Sequence, residues 1–207
     1  LSGLVLESFL DETLIATMRP VHSMSALVFG LLALASSTLH LGRPQFAWRA
    51  VIGLRHSWLS REIVAFGVFA ALAIVYAAGN WFASDLLIET ELFRSWLGWG
   101  VAASGLIGVF CSVMIYAFTQ RAFWSFTQSS ILFGLTTCLL GVAAVWLTLL
   151  LVSTLGSSAA AVSVSGIIAT HGGNICQSLL LLMGLKLLFE ANLLRPLMSR
   201  QITPMKR

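Results

Sequence analysis

The sequence predicts an all-α integral membrane protein, a polytopic bundle of transmembrane helices, on three observations. Hydrophobic residues make up 58% of the 207 positions and charged residues only 10%, whereas soluble domains average about 25% charged residues. The mean hydropathy is +0.92. The apolar residues form runs long enough to cross the hydrocarbon core, which takes about 20 helical residues. The runs lack the alternating polarity of barrel strands, and lipid offers no partner for unpaired amides, so each run is predicted to be a helix.

Five spans are predicted within a single transmembrane domain, 1–207. The segment His171-Gly172-Gly173-Asn174 is expected to break or loosen the last span, and Pro196 and Pro204 are expected to limit helix in the polar tail. Because the chain starts with Leu, residues 1–6 are expected to end an earlier span. The predicted spans lie near 21–41, 60–83, 96–118, 129–155 and 161–189.

Basic residues concentrate in alternate loops, which predicts the topology. The loops at 43–59 and 119–127 and the C-terminal tail carry Arg and Lys, whereas the loop at 84–95 is net acidic. The positive-inside bias would make the basic surface cytoplasmic. The net charge of +4 is confined to loops, so it predicts contact with anionic lipid and not with nucleic acid.

An imidazole and a carboxylate stand at consecutive predicted helix ends. His40 ends the first span and Glu62 begins the second, with one loop between them. Each also has a structural interpretation, His40 beside a helix C-terminus and Glu62 in a first helical turn. An ionisable pair at membrane depth is costly and marks a candidate functional site. Oxidation of a quinol needs bases that take up its protons, so both residues are predicted to be catalytic.

Neighbouring residues complete the predicted quinol site. Gly42 would let the backbone approach a ring closely, although a helix C-cap is an equally natural role. Arg61 would favour the ionised form of Glu62. Ser60 and Tyr116 would donate hydrogen bonds to the ligand.

Arg121 is predicted to dock a soluble partner, and three further arginines of the same surface, Arg43, Arg49 and Arg55, have two interpretations. Their guanidinium groups would either contact lipid phosphates or dock an acidic surface of a soluble partner. Lipid contact is the stronger interpretation for Arg49 and Arg55.

The remaining ionisable residues have simpler interpretations. His22 and His56 are predicted to be interfacial and mostly solvated. Lys186 and Glu190 are spaced i,i+4, which predicts an ion pair on a helix surface.

No metal or haem group is predicted within this chain. His171 with Asn174 is either a polar site or a helix kink, and His171 lies at a different depth from His40, which argues against haem between them. The cysteines fall inside apolar runs without C-x-x-C spacing, which excludes an iron–sulfur cluster or zinc site of the usual kind. They are Cys111, Cys138 and Cys176.

Several segments together resemble the membrane anchor subunit of dimethyl sulfoxide reductase. The most specific are TLHLGRP at 38–44 with AWRA at 47–50, and SWLSREI at 57–63. Weaker segments are MIYA at 114–117, RAFW at 121–124, LLFEA at 187–191 and TPMKR at 203–207.

The resemblance implies a multi-pass subunit of the bacterial inner membrane, in complex with an iron–sulfur subunit and a molybdopterin catalytic subunit. It implies menaquinol as the substrate, no haem or iron–sulfur cluster in this chain, and electron transfer to the partner's nearest cluster. The family's quinol-site residues match His40, Gly42 and Glu62. About eight spans are implied, so further helices are expected outside the 207 residues. In this family the catalytic subunits lie in the periplasm, whereas the positive-inside bias would place the basic surface of this chain in the cytoplasm. The orientation in the membrane therefore stays open.

Two other functions fit parts of the sequence. A small-solute or ion transporter would hold its substrate at a broken fifth helix near His171 and Asn174, but no inverted repeat supports it. A purely structural anchor would dock a soluble complex through its basic loops without binding quinone.

Overall fold

Five long helices make up most of the computed structural model, which describes residues 12–39, 44–82, 91–119, 124–156 and 158–202. A 3₁₀ helix, Pro44–Gly53, lies between the first two. No strand occurs within these ranges, and the predicted all-α fold is confirmed. The long helices are α1 (Glu12–Leu39), α2 (Trp58–Phe82), α3 (Glu91–Phe118), α4 (Phe126–Leu155) and α5 (Ser158–Ile202).

Each long helix contains a stretch that is long and apolar enough to cross a membrane, which confirms the five predicted spans. Successive spans run in opposite directions, so the 3₁₀ helix and the α3–α4 connection lie at one end of the bundle, called here the basic side. The α2–α3 and α4–α5 connections lie at the opposite end. The stretches are Met18–Leu39, Trp58–Phe82, Leu92–Phe118, Phe126–Leu155 and Ala161–Leu194.

Helix α5 corrects two expectations. It runs without interruption from Ser158 to Ile202, so the predicted break at 171–174 is wrong, and helix also continues through Pro196. Two glycines are tolerated because each residue's amide still bonds within the helix. The side chains of His171 and Asn174 are exposed on the outside of the bundle. Pro204 and residues 1–6 lie outside the described ranges.

Glycines let α2 pack closely against α3, which is its most extensive neighbour. A Cβ atom at Gly108 would lie 2.6 Å from the ring of Phe66, and one at Gly105 would lie 3.3 Å from the ring of Phe69. The Phe69 ring also lies against Gly30 of α1, at 3.3 Å from a Cβ built there. Two phenylalanines of α2 therefore fill positions that only glycine leaves open.

The opposite end of the bundle has an apolar core that joins α1, α4 and α5. Met18, Leu149, Val152 and Val164 are buried together. Beside them the His22 imidazole, 8% exposed, contradicts the prediction that this residue is mostly solvated.

The partner of His22 is the fully buried hydroxyl of Thr148, at 3.1 Å from Nδ1. The Thr148 hydroxyl donates to the Ala144 carbonyl at 2.8 Å. When the Thr148 hydrogen is given to Ala144, the Nδ1–H tautomer of His22 is the one that donates to Thr148. Burial of the imidazole is therefore compensated by a hydrogen bond between α1 and α4.

Candidate functional site

Glu62 lies one turn inside α2 at the basic side, and its carboxylate contacts the neighbouring helix. The hydroxyl of Ser112 on α3 donates a hydrogen bond to Glu62 Oε1. The same hydroxyl lies 3.2 Å from the Gly108 carbonyl. The close approach of Phe66 to Gly108, one turn deeper in the bundle, brings the two polar side chains into contact. A carboxylate is thus held in position between two helices, within about 6 Å of the start of α2.

Arg61 connects α2 to the segment that precedes it. Its Nε donates to the Leu54 carbonyl at 2.9 Å and its Nη2 donates to the Arg55 carbonyl at 3.0 Å. The guanidinium also lies over the Trp58 ring, 4.2 Å from the centroid. These contacts fasten the turn at 54–56 to the first turn of α2. The further role predicted for Arg61, favouring the ionised Glu62, stays a prediction.

Ser60 also lies where the segment at 54–56 meets the first turn of α2. A Cβ atom at Gly53 would lie 2.5 Å from Ser60 Oγ, so the end of the 3₁₀ helix packs directly on α2. The Ser60 amide donates to Ser57 Oγ at 3.3 Å, as in a helix start. The structure therefore brings Ser60, Arg61 and Glu62 together beside the 3₁₀ helix.

The ring contacts of Tyr116 are with Trp124 and α4. The residue lies one turn beyond Ser112 on α3, and its ring contacts Trp124 at 4.8 Å and Phe133 of α4 at 5.5 Å between centroids. Glu62 and Tyr116 share one end of the bundle, and Tyr116 follows Ser112 by four residues, so Ser112 and Tyr116 lie on the same face of α3. The hydrogen bond predicted from Tyr116 to the ligand stays a prediction.

Four residues of the predicted site and docking surface lie outside the described ranges, namely His40, Gly42, Arg43 and Arg121. The other two docking arginines, Arg49 and Arg55, are exposed at the basic side. Arg49 lies over the rings of Phe46 and Trp48. The Trp48 side chain, 66% exposed, has the position expected of an interfacial tryptophan.

Ser112 is the site residue that sequence reasoning missed. The sequence feature that could have revealed it is the pair of small residues Gly108 and Ser112, four positions apart, a spacing that favours close helix packing in membranes.

Elsewhere, the predicted i,i+4 ion pair of Lys186 and Glu190 is confirmed at 2.5 Å. The ranges described contain no group of three metal-ligating side chains.

The arrangement defines a class of protein, a multi-pass helical membrane protein with a carboxylate held near one surface. Residues 10–190 match the family of the DMSO reductase anchor subunit (DmsC), and the chain belongs to this family. It is 34% identical over 125 residues to a sulfite dehydrogenase subunit of Allochromatium vinosum, an alignment that covers 55% of this chain and 38% of that protein. No solved structure matches the chain.

Proposed function

We propose that this chain is the quinol-oxidising membrane anchor of a molybdopterin oxidoreductase. The observation that supports it best is the Glu62 carboxylate, held against Ser112 at the membrane end where the basic loops lie. Lipid-soluble quinol would reach this depth from the bilayer. The family supports association with catalytic subunits of an oxidoreductase complex, and the particular partners proposed are an iron–sulfur subunit and a molybdopterin catalytic subunit.

The proposed chemistry is the removal of two electrons and two protons from menaquinol. Glu62 accepts one hydroxyl proton and His40 accepts the other, while the electrons pass to the nearest iron–sulfur cluster of the partner. Gly42 would allow close approach of the ring, and Arg61 with Ser60 would hold the loop against α2. The products are menaquinone and a reduced partner, so protons and electrons balance.

The direction of flow does not change these roles. The family description names a reductase, whereas the relative from A. vinosum is named a dehydrogenase. A carboxylate that accepts a proton from quinol can return it to quinone when the electrons run the other way. We therefore propose the same residues for both directions.

The two other candidate functions have less support. The transporter hypothesis depended on a broken fifth helix, and α5 is continuous through His171 and Asn174. The structural-anchor hypothesis predicts that no change at Glu62 affects electron transfer from quinol. Replacement of Glu62 therefore separates it from our proposal.

The test is Glu62→Gln in the assembled complex, with Glu190→Gln as the matched control. Both changes remove a carboxylate at the basic side, but Glu190 pairs with Lys186 on a helix surface. We expect quinol-dependent turnover to fall at least about 100-fold for Glu62→Gln, as for loss of an acid–base group. Turnover with an artificial donor that reduces the soluble subunits directly should persist. His40→Leu should behave like Glu62→Gln. Unchanged quinol-dependent turnover in both variants would exclude the proposal and favour the structural anchor.

A further inference from the structure

The 3₁₀ helix between α1 and α2 has two exposed faces. Residues three apart share a face of a 3₁₀ helix, because it has three residues per turn. Gly53 lies on the third face, where a Cβ atom would be 2.5 Å from Ser60 Oγ of α2, so this face is held against the bundle. The other two faces turn away from that contact. Their exposed residues are Phe46, Arg49 and Ile52 on one face and Gln45, Trp48 and Val51 on the other.

Large apolar side chains dominate these two faces. Val51 is 62% exposed and Ile52 is 79% exposed, and the rings of Phe46 and Trp48 are exposed beside them. Single apolar residues are common on protein surfaces, but a contiguous apolar patch marks a surface that another molecule or a membrane covers. The four side chains lie within two turns of one helix, so they form such a patch.

The flanking spans fix the depth of this patch in the membrane. One apolar stretch ends at Leu39 and the next begins at Trp58, so the 3₁₀ helix joins two spans at the same membrane surface. Its contact with Ser60 places its end beside the first turn of α2, within about 5 Å of the start of that span. This is the level where hydrocarbon meets the lipid headgroups, and where tryptophan is enriched.

Arg49 is the basic group of the patch, and two aromatic rings hold it. Its guanidinium carbon lies 4.6 Å from the centroid of the Phe46 ring and 5.3 Å from that of the Trp48 ring, which restricts the side chain through cation–π contacts. Positions 44–57 contain no acidic residue. The planar guanidinium is therefore exposed with its donors available, and its geometry suits the oxygens of a phosphate.

We propose that the 3₁₀ helix lies in the membrane interface, with its apolar side chains among the upper acyl carbons and Arg49 on the phosphate of an anionic phospholipid. Acyl chains below and phosphates above complement an apolar patch with a basic centre. An acidic surface of a soluble protein would suit Arg49, but it would set charged groups against four apolar side chains. The proposal does not depend on the chemistry proposed for Glu62.

The experiment replaces Ile52 by a coumarin amino acid in the assembled complex, reconstituted in lipid nanodiscs. The quenchers are phosphatidylglycerol or phosphatidylcholine with a nitroxide high on the acyl chain, and iodide in the water. The test variant is Arg49→Gln. Arg55→Gln is the matched control, because it removes the same charge from the exposed turn that follows the helix. Val51 is the second probe position should a complex with the probe at Ile52 fail to assemble.

We expect both nitroxide lipids to quench the probe and iodide to have little effect. Phosphatidylglycerol should quench about fivefold more than phosphatidylcholine at equal content, which is the effect of one basic residue on an anionic lipid nearby. This ratio should fall to about one in Arg49→Gln and stay within about twofold of its original value in Arg55→Gln. Arg49→Lys keeps the charge and should keep most of the preference.

Three results would overturn the proposal. Quenching by iodide and not by lipid would mean that the helix faces water. Absence of quenching by all three reagents would mean that a protein subunit covers the patch. A preference for phosphatidylglycerol that is unchanged in Arg49→Gln, or lost equally in Arg55→Gln, would mean that Arg49 holds no phosphate.

Discussion

The hydroxyl of Ser112 on α3 donates a hydrogen bond to the carboxylate of Glu62 on α2. The contact depends on Gly108, one turn before Ser112, because the Phe66 ring occupies the space where any larger residue would place its Cβ atom. A carboxylate with a fixed donor keeps one orientation, which a proton acceptor for a bound ring requires. If Glu62 is the proton acceptor of the proposed function, Ser112 is the residue that positions it.

Replacement of Ser112 by alanine should lower quinol-dependent turnover about tenfold without loss of assembly. Hydrogen bonds to charged groups contribute about 1.5 to 3 kcal/mol, and part of this is recovered when water replaces the hydroxyl. The measurement is steady-state turnover with quinol, analysed for kcat and KM separately.

Two variants serve as references for Ser112→Ala. Ser104→Ala removes a hydroxyl from the same helix that donates only to its own backbone, at Gly100 and Val101, and it should leave turnover unchanged. Ser112→Thr keeps the donor and should restore most of the activity. Equal losses in Ser112→Thr and Ser112→Ala would show that packing, not the hydrogen bond, is responsible.

Replacement of Gly108 by alanine should destabilise the bundle by about 1 to 3 kcal/mol, the usual cost of overpacking. The new Cβ would lie 2.6 Å from the Phe66 ring, so α2 and α3 must move apart. The measurement is the free energy of unfolding in mixed micelles. Gly134→Ala is the control, because nothing lies within 4 Å of a Cβ there, and it should be neutral or slightly stabilising. Recovery of stability by adding Phe66→Leu would identify the ring as the cause.

The hydrogen bond between His22 and Thr148 should stabilise α1 against α4 by about 0.6 kcal/mol, and at most about 1.7 kcal/mol, as for other interhelical hydrogen bonds in membranes. A double-mutant cycle of His22→Leu and Thr148→Val measures this coupling from the free energies of unfolding. Ser178→Ala is the control, since that hydroxyl donates to the Asn174 carbonyl of its own helix. A coupling energy of zero would mean that packing alone joins the two helices here.

The five spans could be predicted from the sequence because lipid imposes a simple rule. An apolar run of sufficient length must be a helix, since its amides have no other partner in hydrocarbon. The same rule explains why the expected break at 171–174 is wrong: helix propensities measured in water penalise glycine, but in lipid the helix remains the only way to pair the backbone. The ion pair of Lys186 and Glu190 follows from helical spacing and was predictable for that reason.

By itself, the sequence determined the helical class, the number of spans and which end of the bundle carries the basic loops, because these depend on local composition. Only the tertiary structure decided which side chains meet: that Ser112 reaches Glu62, that the Tyr116 ring packs against Phe133, and that His22 is buried against Thr148. Such contacts depend on the rotation and separation of neighbouring helices. Those are set by close packing of particular pairs, such as Phe66 on Gly108, which no pattern along one helix encodes.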